Sequence, residues 1–300
     1  MKRQRWYGRD RGLQARMAFT MFLLTVVYLV FATVLFRYLR LGPIVCFIPL
    51  IGLFFQYYFS DKIVLSSVGA RIVNEQQAPQ LYGIVQRLAQ QADLPMPRVA
   101  IMDSPMPNAF ATGRSPSHAV VCVTTGLLQQ LPADELEAVL AHEMTHIRNR
   151  DMTVMTMAGS FAAVAAWIVQ MSFWFGIGGD NRDDNRNGGM SFAVVLLITV
   201  VVAFVSHLLV MALSRYREYA ADRGAAILTG APEQLESALL RISGTMQRIP
   251  TRDLREAEPL SALFFAAPSK ESVISLFSDH PSVEKRIARL QQLSAGMATR

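Results

Sequence analysis

Cysteine is nearly missing from this chain, and charge is scarce. Two cysteines in 300 residues, Cys46 and Cys122, cannot build a disulfide framework and lack the spacing of a zinc ribbon. One falls in an apolar run and the other in a β-rich run, so both are read as packing residues. Charged residues make up 17% of the chain against about 25% in ordinary soluble domains, which argues against a soluble chain. No internal repeat of solenoid length is present. The net charge of +6 is not arranged as a basic stripe interleaved with aromatics, so nucleic-acid binding is excluded. Histidine is sparse too: His118, His142, His146, His207 and His280 are all there are, and any imidazole chemistry must draw on these five.

What the chain has in abundance is apolar sequence, 52% of all residues, gathered in blocks rather than spread periodically. Residues 18–36 form an uncharged run long enough to span a bilayer. Before it stand Lys2, Arg3, Arg5, Arg9, Arg11 and Arg16 against a single Asp10. A secretory signal is the competing reading. The run is too long for one, no small-x-small cleavage site follows, and Arg37 and Arg40 come next. Residues 43–59 form a weaker block broken by Pro49, Gly52 and Gln56, read as a second span closing a hairpin rather than as a re-entrant segment. Blocks 153–175 and 190–213 follow, joined by the polar, glycine-rich loop 176–189. The charge asymmetry predicts four transmembrane helices with both termini in the cytoplasm. The division expected is a basic arm and first hairpin over 1–60, a globular part over 61–152, a second hairpin over 153–213 and a second globular part over 214–300.

Within 61–152, Leu81, Ile84, Val85, Leu88 and Ala89 repeat at helical spacing. Val99–Met102 and Ala119–Thr124 read as short strands flanking Pro107–Gly113. A small β-sheet is therefore expected beside the next helix, which gives the cytoplasmic part an α+β character within a mainly α membrane protein.

That helix carries His142-Glu143-Met144-Thr145-His146. Residues four apart on a helix face the same way, so both imidazoles can address one metal ion, while Glu143 lies about 100° round and can reach a water beside it. A catalytic zinc needs at least three protein ligands. No further histidine or cysteine follows at a suitable spacing, which leaves a carboxylate or His280. Glu218 and Asp222 are four apart in Arg217–Asp222. One could bind metal while the other accepts the free N–H of a ligating histidine. Two surface acids paired with Arg217 or Arg223 are the structural alternative. His207 lies within the fourth block, where a hydrogen bond between spans is the simpler reading, and His118 reads as a loop residue.

HEMTH, the Glu-x-x-x-Asp about seventy residues on, Pro107–Gly113 upstream, and Asp279-His280-Pro281-Ser282 with the following Arg286 resemble the HtpX-type membrane zinc endopeptidases. These are gluzincins related to the CAAX prenyl endopeptidases. The motifs span 107–286, and the hydropathy extends the likeness over nearly the whole chain. The resemblance implies a Zn2+ cofactor held by His142, His146 and Glu218, with Glu143 as general base and Asp222 hydrogen-bonded to a histidine ligand. It implies that Asn108, Ala109 and Phe110 edge the cleft and hold an extended substrate by strand addition. It also places His280 near the catalytic centre, either steadying an oxyanion or capping the metal; helix capping or packing is the alternative. Here the motif reads His-Pro-Ser where His-Pro-Pro is commoner. The implied activity is zinc-dependent cleavage of misfolded membrane proteins at cytoplasmic segments, in a bacterial inner membrane. A non-enzymatic membrane adaptor and a prenyl-peptide processing protease are the competing functions.

Overall fold

The structure is a computed structural model. It describes residues 11–38, 57–156, 192–246 and 281–298, with a few positions between them. The chain is mostly helical, with one small mixed sheet. The helices are α1 (Arg11–Tyr38), α2 (Ser60–Ser67), α3 (Pro79–Gln91), α4 (Thr125–Gln130), α5 (Ala133–Asn149), α6 (Phe192–Thr229), α7 (Pro232–Met246) and α8 (Val283–Ala298). The strands are β1 (Arg71–Val73), β2 (Arg98–Met102), β3 (Ala109–Thr112) and β4 (Val120–Thr124).

The sheet runs β1-β2-β4-β3. Strands β2 and β4 are the two expected from sequence and pair in parallel, Arg98 opposite Val120 through Met102 opposite Thr124. Antiparallel β1 and β3 flank them. Side chains alternate across a sheet, and β4 divides accordingly. Val121 and Val123 join the main core with Leu81, Val85 and Leu88 of α3, Val139, Leu140 and Met144 of α5, and Leu239 and Ile242 of α7. Val120 and Cys122 face the other way, onto Phe110 and Leu65 of α2. Both faces are covered, so β4 is buried throughout. Burial pushes the Cys122 thiol up to about 12, which makes it an inert packing group. Cys46 lies outside the described residues.

Among the described residues, two helices are long and apolar enough to cross a membrane, over Gly12–Phe31 and Leu197–Thr229. They belong to the first and fourth sequence blocks; 43–59 and 153–175 fall largely outside the described residues. Helices α1 and α6 pack together through Leu24, Tyr28 and Leu213. Phe19, Phe22, Leu29, Leu197, Val200 and Phe204 remain exposed on them, the surface a bilayer would cover. The division placed at 213/214 falls inside a single helix. At 38 residues, α6 is roughly 57 Å long. Its first half is apolar and outward-facing, while its second half buries Arg217, Glu218, Ala221, Asp222, Ala225 and Ala226. No residue between 192 and 229 breaks the helix, so membrane segment and charged segment form one rod. It packs along α5.

Candidate metal centre

Helix α5 is the pivot of the site. Asp134 and Glu135 occupy its first turn, where negative charge suits the helix dipole. Glu135 also accepts bonds from Ser237 at 2.7 Å and from Arg241 Nε at 2.8 Å, fixing α5 to α7. From Leu136 to Thr145 every residue except Glu137 is buried, and HEMTH begins in that buried section. The helix ends at Arg150 in the left-handed conformation (φ 56°, ψ 39°), whose N–H returns to the last turn. That conformation costs a non-glycine residue about 1–2 kcal/mol. It reverses the chain so that Asp151 meets His146.

The two imidazoles are nearly perpendicular, with centroids 4.6 Å apart and Nε2 atoms 3.0 Å apart. Glu218 of α6 closes the third side. Its Oε2 is 3.5 Å from His142 Nε2 and its Oε1 is 3.4 Å from His146 Nε2. One donor atom from each of the three residues lies within 4.8 Å of the others.

Each imidazole is also held from behind. His142 Nδ1 is 3.0 Å from Asp222 Oδ1, and His146 Nδ1 is 2.5 Å from Asp151 Oδ2. A carboxylate accepts the Nδ1 proton and leaves the lone pair on Nε2, the tautomer a metal ligand needs. The two acids have their own cations. Arg286 of α8 grips Asp222 with both arms, Nη2 to Oδ1 at 2.6 Å and Nε to Oδ2 at 2.9 Å. Its Nη1 stands 3.5 Å from Glu218 Oε2. Arg217 Nε stands 3.1 Å from Asp151 Oδ1. Arg286 is 1% exposed, too deep for a cation without such partners. Val283, Arg286 and Leu290 form the buried stripe of α8, so an amphipathic helix delivers a guanidinium to the centre.

Electrostatics follow from this enclosure. Burial would lower His146, but its bonds to Asp151 and Glu218 prevail and raise it to about 10. Burial likewise works against His142, which Asp222 and Glu218 nonetheless hold above the usual imidazole value. Burial pushes the Glu143 carboxyl up, opposed by both histidines and by the Ala111 N–H that bonds to it. Asp151 is held below the usual carboxylate range: burial opposes ionisation, and Arg217 and His146 outweigh it. A metal must displace protons from such histidines, so binding and proton release are coupled.

Strand β3 lies against α5 and forms a sheet edge. Asn108 precedes it and is buried; its N–H donates to Thr124 Oγ1, and its carbonyl accepts from the Thr124 N–H, both at 2.9 Å. Ala109 and Phe110 open the strand. By antiparallel alternation, Asn108 and Phe110 turn their backbone groups toward β4, while Ala109 and Ala111 turn theirs toward the edge. A cavity of about 20 Å3, room for a single water, separates Ala111 and Gly113 from His146 and Ile147.

His142, Glu143, His146, Glu218 and Asp222 thus meet at one point, with Asn108–Phe110 at the strand beside them. His118 sits in a short exposed turn, bonded to Ser115 and Ser117. His207 is exposed on α6 and does not join the centre. His280 lies outside the described residues. Asp151 is the participant that reading the sequence missed; its signal is an acid five residues past the second histidine, just after a helix end. The sequence offers Arg217 to Glu218 or Asp222, whereas its carboxylate in the fold is Asp151.

The model of peptidase family M48 matches residues 75–294. The chain belongs to this family. A protein described as a protease HtpX homolog in Moorella thermoacetica is 54% identical over 305 aligned residues, covering 100% of both chains. Protease HtpX homolog 2 of Methanosarcina mazei is 52% identical, covering 99% of this chain and 100% of its own. The crystal structure of S. mikatae Ste24p shares the fold, with a TM-score of 0.54 at 16% identity; the match covers 94% of this chain and 66% of that one. This M48 peptidase is accordingly a metalloprotease of the membrane, a hydrolase.

Proposed function

We propose that the protein is a zinc endopeptidase that cuts misfolded or damaged membrane proteins at cytoplasmic segments. The observation that carries this reading is the trio His142, His146 and Glu218, with both histidine Nδ1 atoms tied to carboxylates. Ligands placed tetrahedrally about 2.0–2.1 Å from zinc stand roughly 3.3–3.4 Å apart, and here the separations are 3.0, 3.4 and 3.5 Å. Two imidazoles and one carboxylate, with a position left open, suit a catalytic rather than a structural zinc.

When bound, zinc supplies Lewis acidity that polarises a peptide carbonyl and acidifies water. The protein's own groups do the rest. Glu143 takes the proton from the attacking water and hands it to the leaving amine. Its burial, which raises its proton affinity, fits a group that must accept and then release a proton near neutrality. Asp222 and Asp151 hold the imidazoles in register, and Arg286 and Arg217 keep those acids ionised. The outward backbone groups of Ala109 and the carbonyl of Ala111, whose N–H is held by Glu143, can pair with an extended substrate as an added strand. His280 belongs to the same proposal, as an oxyanion donor or a cap on the metal.

The reach of α6 from its apolar half to Glu218 favours a centre at the membrane face. The basic arm at residues 1–16 favours the cytoplasmic side of a bacterial inner membrane, with four spans and both termini inside. The intact general base and complete donor set weigh against a non-enzymatic adaptor. The test uses protein purified in detergent, stripped of metal and reloaded. Zinc should restore cleavage of an unlipidated, unfolded membrane substrate, and Glu218→Ala should lose its zinc on dialysis. Stoichiometric zinc retained by Glu218→Ala would remove Glu218 from the ligand set, and a requirement for a prenylated peptide would replace the substrate class.

A further inference from the structure

We propose that a second site, beside the helix α2 that covers the face of the sheet opposite HEMTH, binds the phosphate of an anionic phospholipid headgroup. A cavity of about 330 Å3 opens among Tyr58, Lys62, Arg98, Arg114, Ser117 and His118. Lys62, Arg98 and Arg114 line it against a single carboxylate, Asp61. Asp61 is already committed to Arg98 by an ion pair. Among the described residues neither Lys62 nor Arg114 has a carboxylate partner. Arg114 Nη1 donates to the Tyr58 carbonyl at 3.2 Å, and both heads rest on aromatic rings. The Arg114 guanidinium lies 4.2 Å from the Tyr58 ring centroid and Lys62 Nζ lies 5.8 Å from that of Phe59.

Ser117 and His118 line the cavity as well and are exposed at its rim, where the Ser117 hydroxyl lies 3.1 Å from both His118 Nδ1 and the Ser115 hydroxyl. Two cations without acids at a polar rim form a receptor for a phosphate, which brings several acceptor oxygens and a negative charge. Its volume is ample for a headgroup, and its approach is apolar. Ile51, Phe54, Phe55 and Tyr58 are large apolar side chains left 43–62% exposed shortly before Lys62. Aromatics followed by cations are the arrangement of a membrane interface. Acyl chains along Phe54 and Phe55 would bring their phosphate to Lys62 and Arg114. This continuity selects a lipid over free phosphate.

The site is tied to the catalytic edge. Arg114 follows β3 and Gly113, its carbonyl accepts from Tyr57 Oη at 2.7 Å, and it also borders the small cavity beside His146. A Cβ at Gly113 (φ +126°) would strike the His118 carbonyl, so the turn joining the two sites is sterically fixed.

The experiment uses the full chain in nanodiscs of phosphatidylcholine with or without phosphatidylglycerol. It reads lipid retained after detergent extraction by native mass spectrometry, and protection of Lys62 from an amine reagent. Wild type should retain phosphatidylglycerol preferentially and protect Lys62. Lys62→Gln should weaken retention, and Lys62→Gln with Arg114→Gln should reduce it at least about tenfold. Arg87→Gln, which removes an exposed cation paired with Glu137, should match wild type. Equal retention by the double variant overturns the proposal, as does an equal loss in Arg87→Gln. Inorganic phosphate or an acidic peptide protecting Lys62 as well as the lipid does would overturn the lipid assignment. Lys62 is exposed, so its single variant tests the site even if the double variant fails to fold.

Discussion

Asp151→Asn isolates the role of the acid behind His146. The asparagine carbonyl keeps the shape and can still accept the Nδ1 proton, so the change falls on charge and on the strength of the tether. The native contact is 2.5 Å long and 2% exposed on the acid side, with no solvent to compensate for its loss. Removing such a support typically weakens a metal about 10–100-fold, equivalent to roughly 1.4–2.8 kcal/mol. A second effect must be separated from it. Arg217 is 8% exposed and would lose its carboxylate, and breaking a buried pair costs about 3–5 kcal/mol of stability. Arg217→Gln supplies the control, because it breaks the same ion pair while leaving Asp151 on His146. Chelator competition at fixed pH reads metal affinity on the folded protein, and thermal unfolding reads stability. The expected pattern is a metal bound about 10–100-fold more weakly in Asp151→Asn, against a shift within about threefold in Arg217→Gln. Both variants should melt early. Wild-type metal affinity in Asp151→Asn would refute the tether.

Three further outcomes follow from the same contacts. Arg286→Gln should destabilise the metal-free protein by about 3–5 kcal/mol, and much less when Asp222→Asn is already present; a double-mutant cycle by thermal unfolding without coupling would separate the two residues. Burial would raise Glu135, but Arg241 and Ser237 prevail and hold it below its ordinary value of 4.5. Its contribution is therefore fully present above pH 4.5 and is lost as pH falls through the lower folded value, so the melting-temperature gap between wild type and Arg241→Gln should close on acidification, and a gap constant with pH would contradict it. Arg150→Gly, which removes the penalty of a left-handed residue, should leave stability unchanged or raise it by about 1 kcal/mol; a marked loss would mean that the Arg150 side chain, rather than its backbone, holds the turn.

The parts most legible in sequence are those governed by period. Helical spacing locates α3, two β-rich runs locate β2 and β4, and the four-residue interval puts His142 with His146 and Glu218 with Asp222. Three-residue β1 and edge strand β3 are too short to carry an alternation of their own. The continuity of α6 is hidden because composition changes sharply near residue 214 while backbone geometry does not. Asp151 is illegible for a different reason. Its position depends on the left-handed turn at Arg150, a conformation that arginine does not advertise. Arg286 stands in a recognisable motif, yet only the packing of α8 against α6 and α7 shows which acid it serves.

The central claim concerns Glu143, and the most direct measurement takes zinc content and peptide cleavage from one purified preparation of Glu143→Gln. The substitution keeps size and leaves His142, His146 and Glu218 in place. The predicted result is stoichiometric zinc, wild-type melting behaviour and a loss of turnover of at least about 100-fold. Near-normal cleavage by this zinc-loaded variant would contradict the account, because no proton acceptor would then be needed at position 143.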